Sequence, residues 1–220
     1  MSYLSYHEGT SPVGGGAFQS MTEALDPAPG IVPKTHFVEW FSGDALDSIW
    51  TLTDIVGTGS GAMNDATNGG YRITTGGTDD NETSINCNDI RHYSNTASMI
   101  SIVMVRAATA RIRGGFSEDT DMTNSFALIQ NDFDDTNYEL STDDGTTETS
   151  TASSTAVDTT KRRHDITLSS ASIQSRIDGT LEVAKTTNLP DTTQQPFCSV
   201  KARSTGAKTG DIQYLEAYST

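Results

Sequence analysis

From His36 onward the chain runs in short β-prone stretches punctuated by Gly, Asn, Asp and Thr clusters, and helical periodicity is nearly absent. Successive side chains on a strand point to opposite faces, so apolar residues at period two mark a strand half-buried against a core. Phe126 and Leu128, Tyr138 and Leu140, Ile166 and Leu168, and Ile173 and Ile177 keep that parity. Many short strands at this spacing predict an all-β sandwich or barrel. The expected strands are 36–42, 49–53, 71–75, 82–87, 98–108, 110–116, 124–131, 137–141, 164–169, 172–178, 181–186, 196–203 and 209–219. Residues 100–105 are apolar at both parities, which predicts a central strand covered on both sides. Asp178-Gly179, between two alternating segments, predicts a β-hairpin.

The first 35 residues obey a different rule. Pro12, Pro27, Pro29 and Pro33, together with the run Gly14-Gly15-Gly16, disfavour both helix and central strand, because proline fixes φ and removes a donor while glycine adds backbone freedom. Residues 1–35 therefore read as an extended arm, with one helical turn possible after Ser20, where Glu23 stands three residues on. The arm carries Tyr3, Leu4, Tyr6, Phe18, Met21, Leu25, Ile31 and Val32, more apolar surface than a solvating tail uses, so it is expected to strap onto a neighbouring subunit. Residues 36–220 then form one β-domain, a size that a single all-β core commonly reaches.

Charge prunes the partners. A net charge of −15 repels phosphate backbones and anionic lipid surfaces, so nucleic acid and membrane are not expected as partners. The longest apolar run falls far short of the roughly 20 residues of a membrane helix. Residues 1–16 hold no Lys or Arg and no long apolar stretch, unlike a cleaved export signal, so the chain is expected to be made and kept inside a cell at first. Cys87 and Cys198 show no metal-ligand spacing and read as two buried free thiols. Residues 114–160 contain eleven acids and no Lys or Arg, a stretch expected to face solvent at the outer edge of the fold; its tail, 143–160, reads as a loop or an edge hairpin.

Chemistry is sparse. Asp132, Asp134, Asp135, Asn137 and Glu139 offer oxygen ligands for calcium, the one possible cofactor. Asn137 and Asp143 stand where an EF-hand loop needs Gly and Glu, which favours a solvated acidic turn. Retaining glycan hydrolysis needs two carboxylates about 5 to 5.5 Å apart, for which same-face acids on a strand are the signal. Glu118-Asp119-Thr120-Asp121 comes closest, in a turn context. His7, His36, His92 and His164 are scattered, and no G-x-S-x-G elbow is present. Gly57-Thr58-Gly59-Ser60-Gly61 lacks the Lys and helix of a phosphate loop and reads as a flexible turn. Trp40, alternating with Val38, and Trp50, following Ile49, favour core positions; a sugar-stacking platform is the alternative for each.

The order of segments carries a resemblance. Phe37-Val-Glu-Trp-Phe-Ser-Gly43 leads into Leu46-Asp-Ser-Ile-Trp50, Gly70-Tyr-Arg-Ile-Thr74, Ile90-Arg-His-Tyr93, Arg111-Ile-Arg-Gly-Gly-Phe116, Asn137-Tyr-Glu-Leu140, Arg163-His-Asp-Ile-Thr-Leu168, Ile177-Asp-Gly-Thr-Leu-Glu-Val183 and Asp211-Ile-Gln-Tyr-Leu-Glu-Ala-Tyr218. Over residues 36–220 this resembles the concanavalin A-like lectin/glucanase jelly roll, in particular the version in structural proteins of tailed bacteriophages and archaeal viruses. The resemblance implies two packed antiparallel sheets, one convex and one concave. The glucanase acidic motif and an evident lectin metal cluster are both missing, so it implies a non-enzymatic virion structural protein. The expected form is a capsid decoration or turret subunit on the virion surface, assembled in the host cytoplasm. Such a subunit would be docked on the major capsid protein or another virion protein by its arm and would be a homo-oligomer, with a trimer expected from the family. The alternative is a glycan-binding adhesin of the same fold, with a cell-surface glycan as partner; a glycoside hydrolase is the third reading.

Overall fold

Alternating burial along the strands sorts the chain into two layers. The computed structural model describes residues 36–64, 69–88, 93–131 and 135–219. The arm of residues 1–35, with every apolar residue proposed to strap a neighbour, lies outside these described residues, as do Asp132, Asp134 and His92.

The strands are β1 (His36–Glu39), β2 (Thr51–Val56), β3 (Gly59–Met63), β4 (Tyr71–Thr75), β5 (Glu82–Asn86), β6 (Ala97–Arg106), β7 (Ala110–Ser117), β8 (Phe126–Asn131), β9 (Asn137–Asp143), β10 (Glu148–Ala156), β11 (Arg162–Ser169), β12 (Ile173–Ile177), β13 (Thr180–Lys185), β14 (Gln195–Ala202) and β15 (Thr209–Ser219). The first sheet runs β13-β12-β11-β6-β15-β4-β3, with β1 paired to the far half of β15; the second runs β10-β9-β8-β7-β14-β5-β2. Every strand pairing is antiparallel, and no helix occurs among the described residues. The all-β antiparallel sandwich is thus the observed fold.

Ile73, Ile100, Ile102, Ile166 and Leu215 from the first sheet meet Ile85, Ile112, Leu140 and Val200 from the second in one buried cluster. The layers approach closely at Gly114, where a β-carbon would lie 2.5 Å from Met104 Cε. Both cysteines are buried and unbridged, and burial pushes the Cys198 thiol up.

Two segments differ from, or sharpen, their sequence reading. Part of the Gly57–Gly61 run is strand β3, not a flexible turn. It pairs with β4, and its small residues are required there, because a β-carbon on Gly61 would lie 2.0 Å from the Tyr71 hydroxyl. Residues 143–160 form the edge hairpin: Asp144 Oδ1 accepts the Thr146 and Thr147 N–H groups, and Gly145 takes φ +87°. The Asp178-Gly179 hairpin joins β12 to β13 with φ of +50° and +84°, the pair of left-handed residues that a type I′ turn requires.

The edge strands of the two sheets are stitched together. Glu182 on β13 accepts Ser154 N–H and Oγ–H and Thr155 Oγ1–H of β10, each at 2.7 Å, and the Lys185 ammonium donates to the Thr149 carbonyl at 2.6 Å.

The outer face of the second sheet is closed by residues of the chain itself. Residues 118–125 fold across it, and Met122, with φ +59°, packs on Phe126, Leu128 and Phe197 in a second apolar cluster. Gln195 Nε2 donates to the Glu118 carbonyl at 3.3 Å and Ser84 Oγ to the Thr120 carbonyl at 3.4 Å, holding the loop down. Glu118-Asp119-Thr120-Asp121 is part of this cover. Asp119 accepts hydrogen bonds from Ser117, Thr123 and Asn124, a turn-stabilising role consistent with its sequence context.

Candidate functional site

Among the described residues, the outer face of the first sheet has no such cover. Residue 103 marks the difference: β6 is central, between β11 and β15, but Val103 is only partly buried, where the sequence predicted a strand covered on both sides. The reason is that no layer of described residues packs over this side of the sheet; Val103 lines an open groove.

Ladder register fixes which side chains share the face. Asp165 of β11, Ser101 of β6, Glu216 of β15 and Val38 of β1 form one row; Arg163, Val103 and Tyr214 form the next. Trp40, two residues past Val38, continues the outward parity of β1 and lies against Tyr214 with ring centroids 4.6 Å apart. These rings open onto a groove of about 770 Å³ whose lining includes Ser42, Asn64, Lys161, Arg163 and Gln213.

The groove floor is built by a bulge. The β15–β6 register shifts between Ile212 and Tyr214, which re-aims Gln213. Gly70 makes this possible: it has φ +87°, and a β-carbon there would lie 2.3 Å from the Ile212 carbonyl oxygen.

Around the groove, each nearby carboxylate already accepts hydrogen bonds from protein donors. Asp165 Oδ1 accepts from Ser101 Oγ at 2.5 Å and from Arg163 Nε at 2.8 Å. Glu216 accepts from Tyr214 O–H at 2.6 Å and lies 2.8 Å from His36 Nε2. Asp211 takes two bonds from Arg72 and one from Asn64 Nδ2. Burial, then the bond to Glu216, pushes the Tyr214 phenol up, so it is a neutral donor at physiological pH.

The structure separates the two tryptophans. Trp50 is 5% exposed and packs against Phe37 and Phe41, a core residue as predicted and not a sugar platform. Trp40 is 47% exposed, which corrects its predicted core position. It does share a face with Val38, but that face points outward; the inward parity carries Phe37, Glu39 and Phe41. Glu39, buried between two phenylalanines, disguised the inner face. Burial raises its carboxyl pKa, offset in part by the Phe41 N–H donated to it at 2.9 Å.

Of the calcium-type ligands, Asp135, Asn137 and Glu139 are described. Asn137 Nδ2 donates to the Ser153 carbonyl at 2.7 Å, and no group of three or more His, Cys, Asp or Glu positioned for a metal occurs among the described residues. The sequence reading missed Tyr214, Gln213, Lys161 and Arg163. The signal was present in β15, where Leu215 and Ala217 alternate with Tyr214, Glu216 and Tyr218 and so assign the aromatic and acidic side chains to the outer face.

No protein-family model and no curated protein matches the chain in sequence. Solved structures match it in shape. The Bacillus licheniformis β-glucanase superposes at TM-score 0.59 and 16% identity, covering 84% of this chain and 98% of that one. The Crh5 transglycosylase gives 0.62 at 14%, over 84% of each chain, and the carbohydrate-binding module CBM66 from Bacillus subtilis 0.52 at 13%, over 74% of this chain and 91% of that one. The fold is therefore the concanavalin A-like jelly-roll sandwich. Its solved neighbours are both glycoside-processing enzymes and carbohydrate-binding modules.

Proposed function

We propose that this protein is a lectin-like glycan-binding domain and that the Trp40–Tyr214 groove is its combining site. The observation that carries this reading is an exposed tryptophan packed at a tilt against a tyrosine at the mouth of an open groove with polar side chains along it. Aromatic faces bury the C–H surface of a sugar ring, while a few placed polar groups fix its hydroxyls. The neighbours' carbohydrate-binding members agree with it. A binding role is favoured over hydrolysis because hydrolysis needs two opposed carboxyls. Among the described residues no carboxylate lines the groove, and Asp165 and Glu216 beside it already accept bonds from protein groups. The virion reading rests on the resemblance and on the arm of residues 1–35, so the glycan reading takes precedence over it.

The test is titration with a panel of soluble oligosaccharides, followed by tryptophan emission and calorimetry. Trp40→Ala is expected to abolish measurable binding, a loss of at least about tenfold for one stacking platform. Its thermal midpoint is expected to stay within a degree or two of the parent because the side chain is half exposed. Binding by Trp40→Ala equal to the parent would overturn the assignment of the site.

A further inference from the structure

We infer that the ligand of this groove is an acidic glycan, one whose sugars carry carboxylate or sulfate groups; the inference rests on the glycan reading above. In a chain of net charge −15, the charged side chains that line the groove among the described residues are Lys161 and Arg163, both cationic. Lys161 is exposed and makes no ion pair or hydrogen bond among the described residues. Arg163 commits Nε to Asp165 and Nη2 to Ser101, its Nη1 makes no hydrogen bond among the described residues, and its side chain is 51% exposed.

The three acids near the groove are each engaged by protein donors rather than open to a ligand. Asp165 is buried beneath Arg163, Asp211 is doubly bonded to Arg72, and Glu216 accepts the Tyr214 hydroxyl and faces His36. Even the Tyr214 O–H is consumed by Glu216, so it cannot donate into the groove. The charged surface left for a ligand thus consists of N–H donors: an ammonium with three and a guanidinium edge. A neutral sugar hydroxyl meets such donors only as a weak acceptor. An ionised carboxylate or sulfate forms charge-assisted hydrogen bonds, roughly twice as strong. Long-range repulsion by the acidic chain is screened beyond about 8 Å at physiological ionic strength, so the ammonium and guanidinium that touch the ligand outweigh distant acids.

The experiment pairs ligands that differ only in charge: oligogalacturonate against its methyl ester, and dextran sulfate against dextran, each titrated into the full chain. The expected result is binding of at least one acidic member about tenfold tighter than its neutral partner, with the uronate and sulfate arms showing which group is read. Lys161→Gln, an exposed position, is expected to remove most of that margin without altering the thermal midpoint. Arg163→Lys, which keeps a cation over Asp165, is expected to lower affinity for the acidic member by more than it lowers affinity for its neutral partner. Equal affinity for acid and neutral partners would overturn the acid preference while leaving the glycan site standing. Failure of all four ligands to bind would overturn both readings.

Discussion

His164 is a buried polar residue whose two ring nitrogens lack hydrogen-bond partners among the described residues. It points between the sheets, 1% exposed, with its ring edge-on to Tyr138 at 5.0 Å. Burial drives its pKa from 6.5 to about 4. The unfolded chain therefore takes up a proton near pH 6.5 that the folded chain refuses until near pH 4, and stability falls as pH falls across that window, by up to about 3 kcal/mol. Urea unfolding at a series of pH values should show this slope in the parent and its loss in His164→Met. An unchanged slope would place the titration elsewhere. Asp158 acts in a different window: burial opposes its ionisation, but Arg162 and Thr160 outweigh burial and bring its carboxyl to about 2, so its contribution is lost only at lower pH. Glu39, raised by burial, has the opposite sign, its contribution fading as pH rises. Trp40 shows why single residues on a short strand are hard to read. Parity told which neighbours it joins but not which side is the core, since one buried glutamate made the inner face look polar.

Elements declared by local chemistry were legible, and those declared by their neighbours were not. The Asp178-Gly179 hairpin follows from two residues that tolerate positive φ, and Gly179→Ala is expected to lower unfolding stability by about 1 kcal/mol in urea titration. Strand β3 had no such signature, because its glycines are chosen by Tyr71 and Thr83 across the fold. The polar strand β10 was also ambiguous, since its anchor is Glu182 on the other sheet. Glu182→Ala leaves three donors without that acceptor and is expected to cost about 1–2 kcal/mol. It should also speed amide hydrogen exchange through β10 before other strands. Exchange that rises uniformly would mean the stitch does not hold the edge.

At the scale of the molecule, the sequence conveyed the all-β sandwich because alternation repeats in strand after strand. The candidate site was only half legible: Trp40 was marked, but its partners come from β15 and from the start of β11, brought beside it by pairings that span most of the chain. The described strands of both sheets lie within residues 36–219, and the β1 ladder begins at His36 opposite Tyr218. Removing residues 1–35 is accordingly expected to leave the urea midpoint and glycan affinity unchanged. If the arm straps neighbouring copies, the same truncation lowers the mass measured by light scattering; a shifted midpoint would show that the arm belongs to the fold.

The Met122 cover bears on valency. If the groove is the combining site, the loop over the second sheet leaves the outer face of the first as the open candidate among the described residues, so one copy would hold one glycan strand. Firm attachment to a repetitive glycan surface then requires several copies fixed on a common body, where linked binding can gain on the order of 10²–10⁴ in avidity without any new contact.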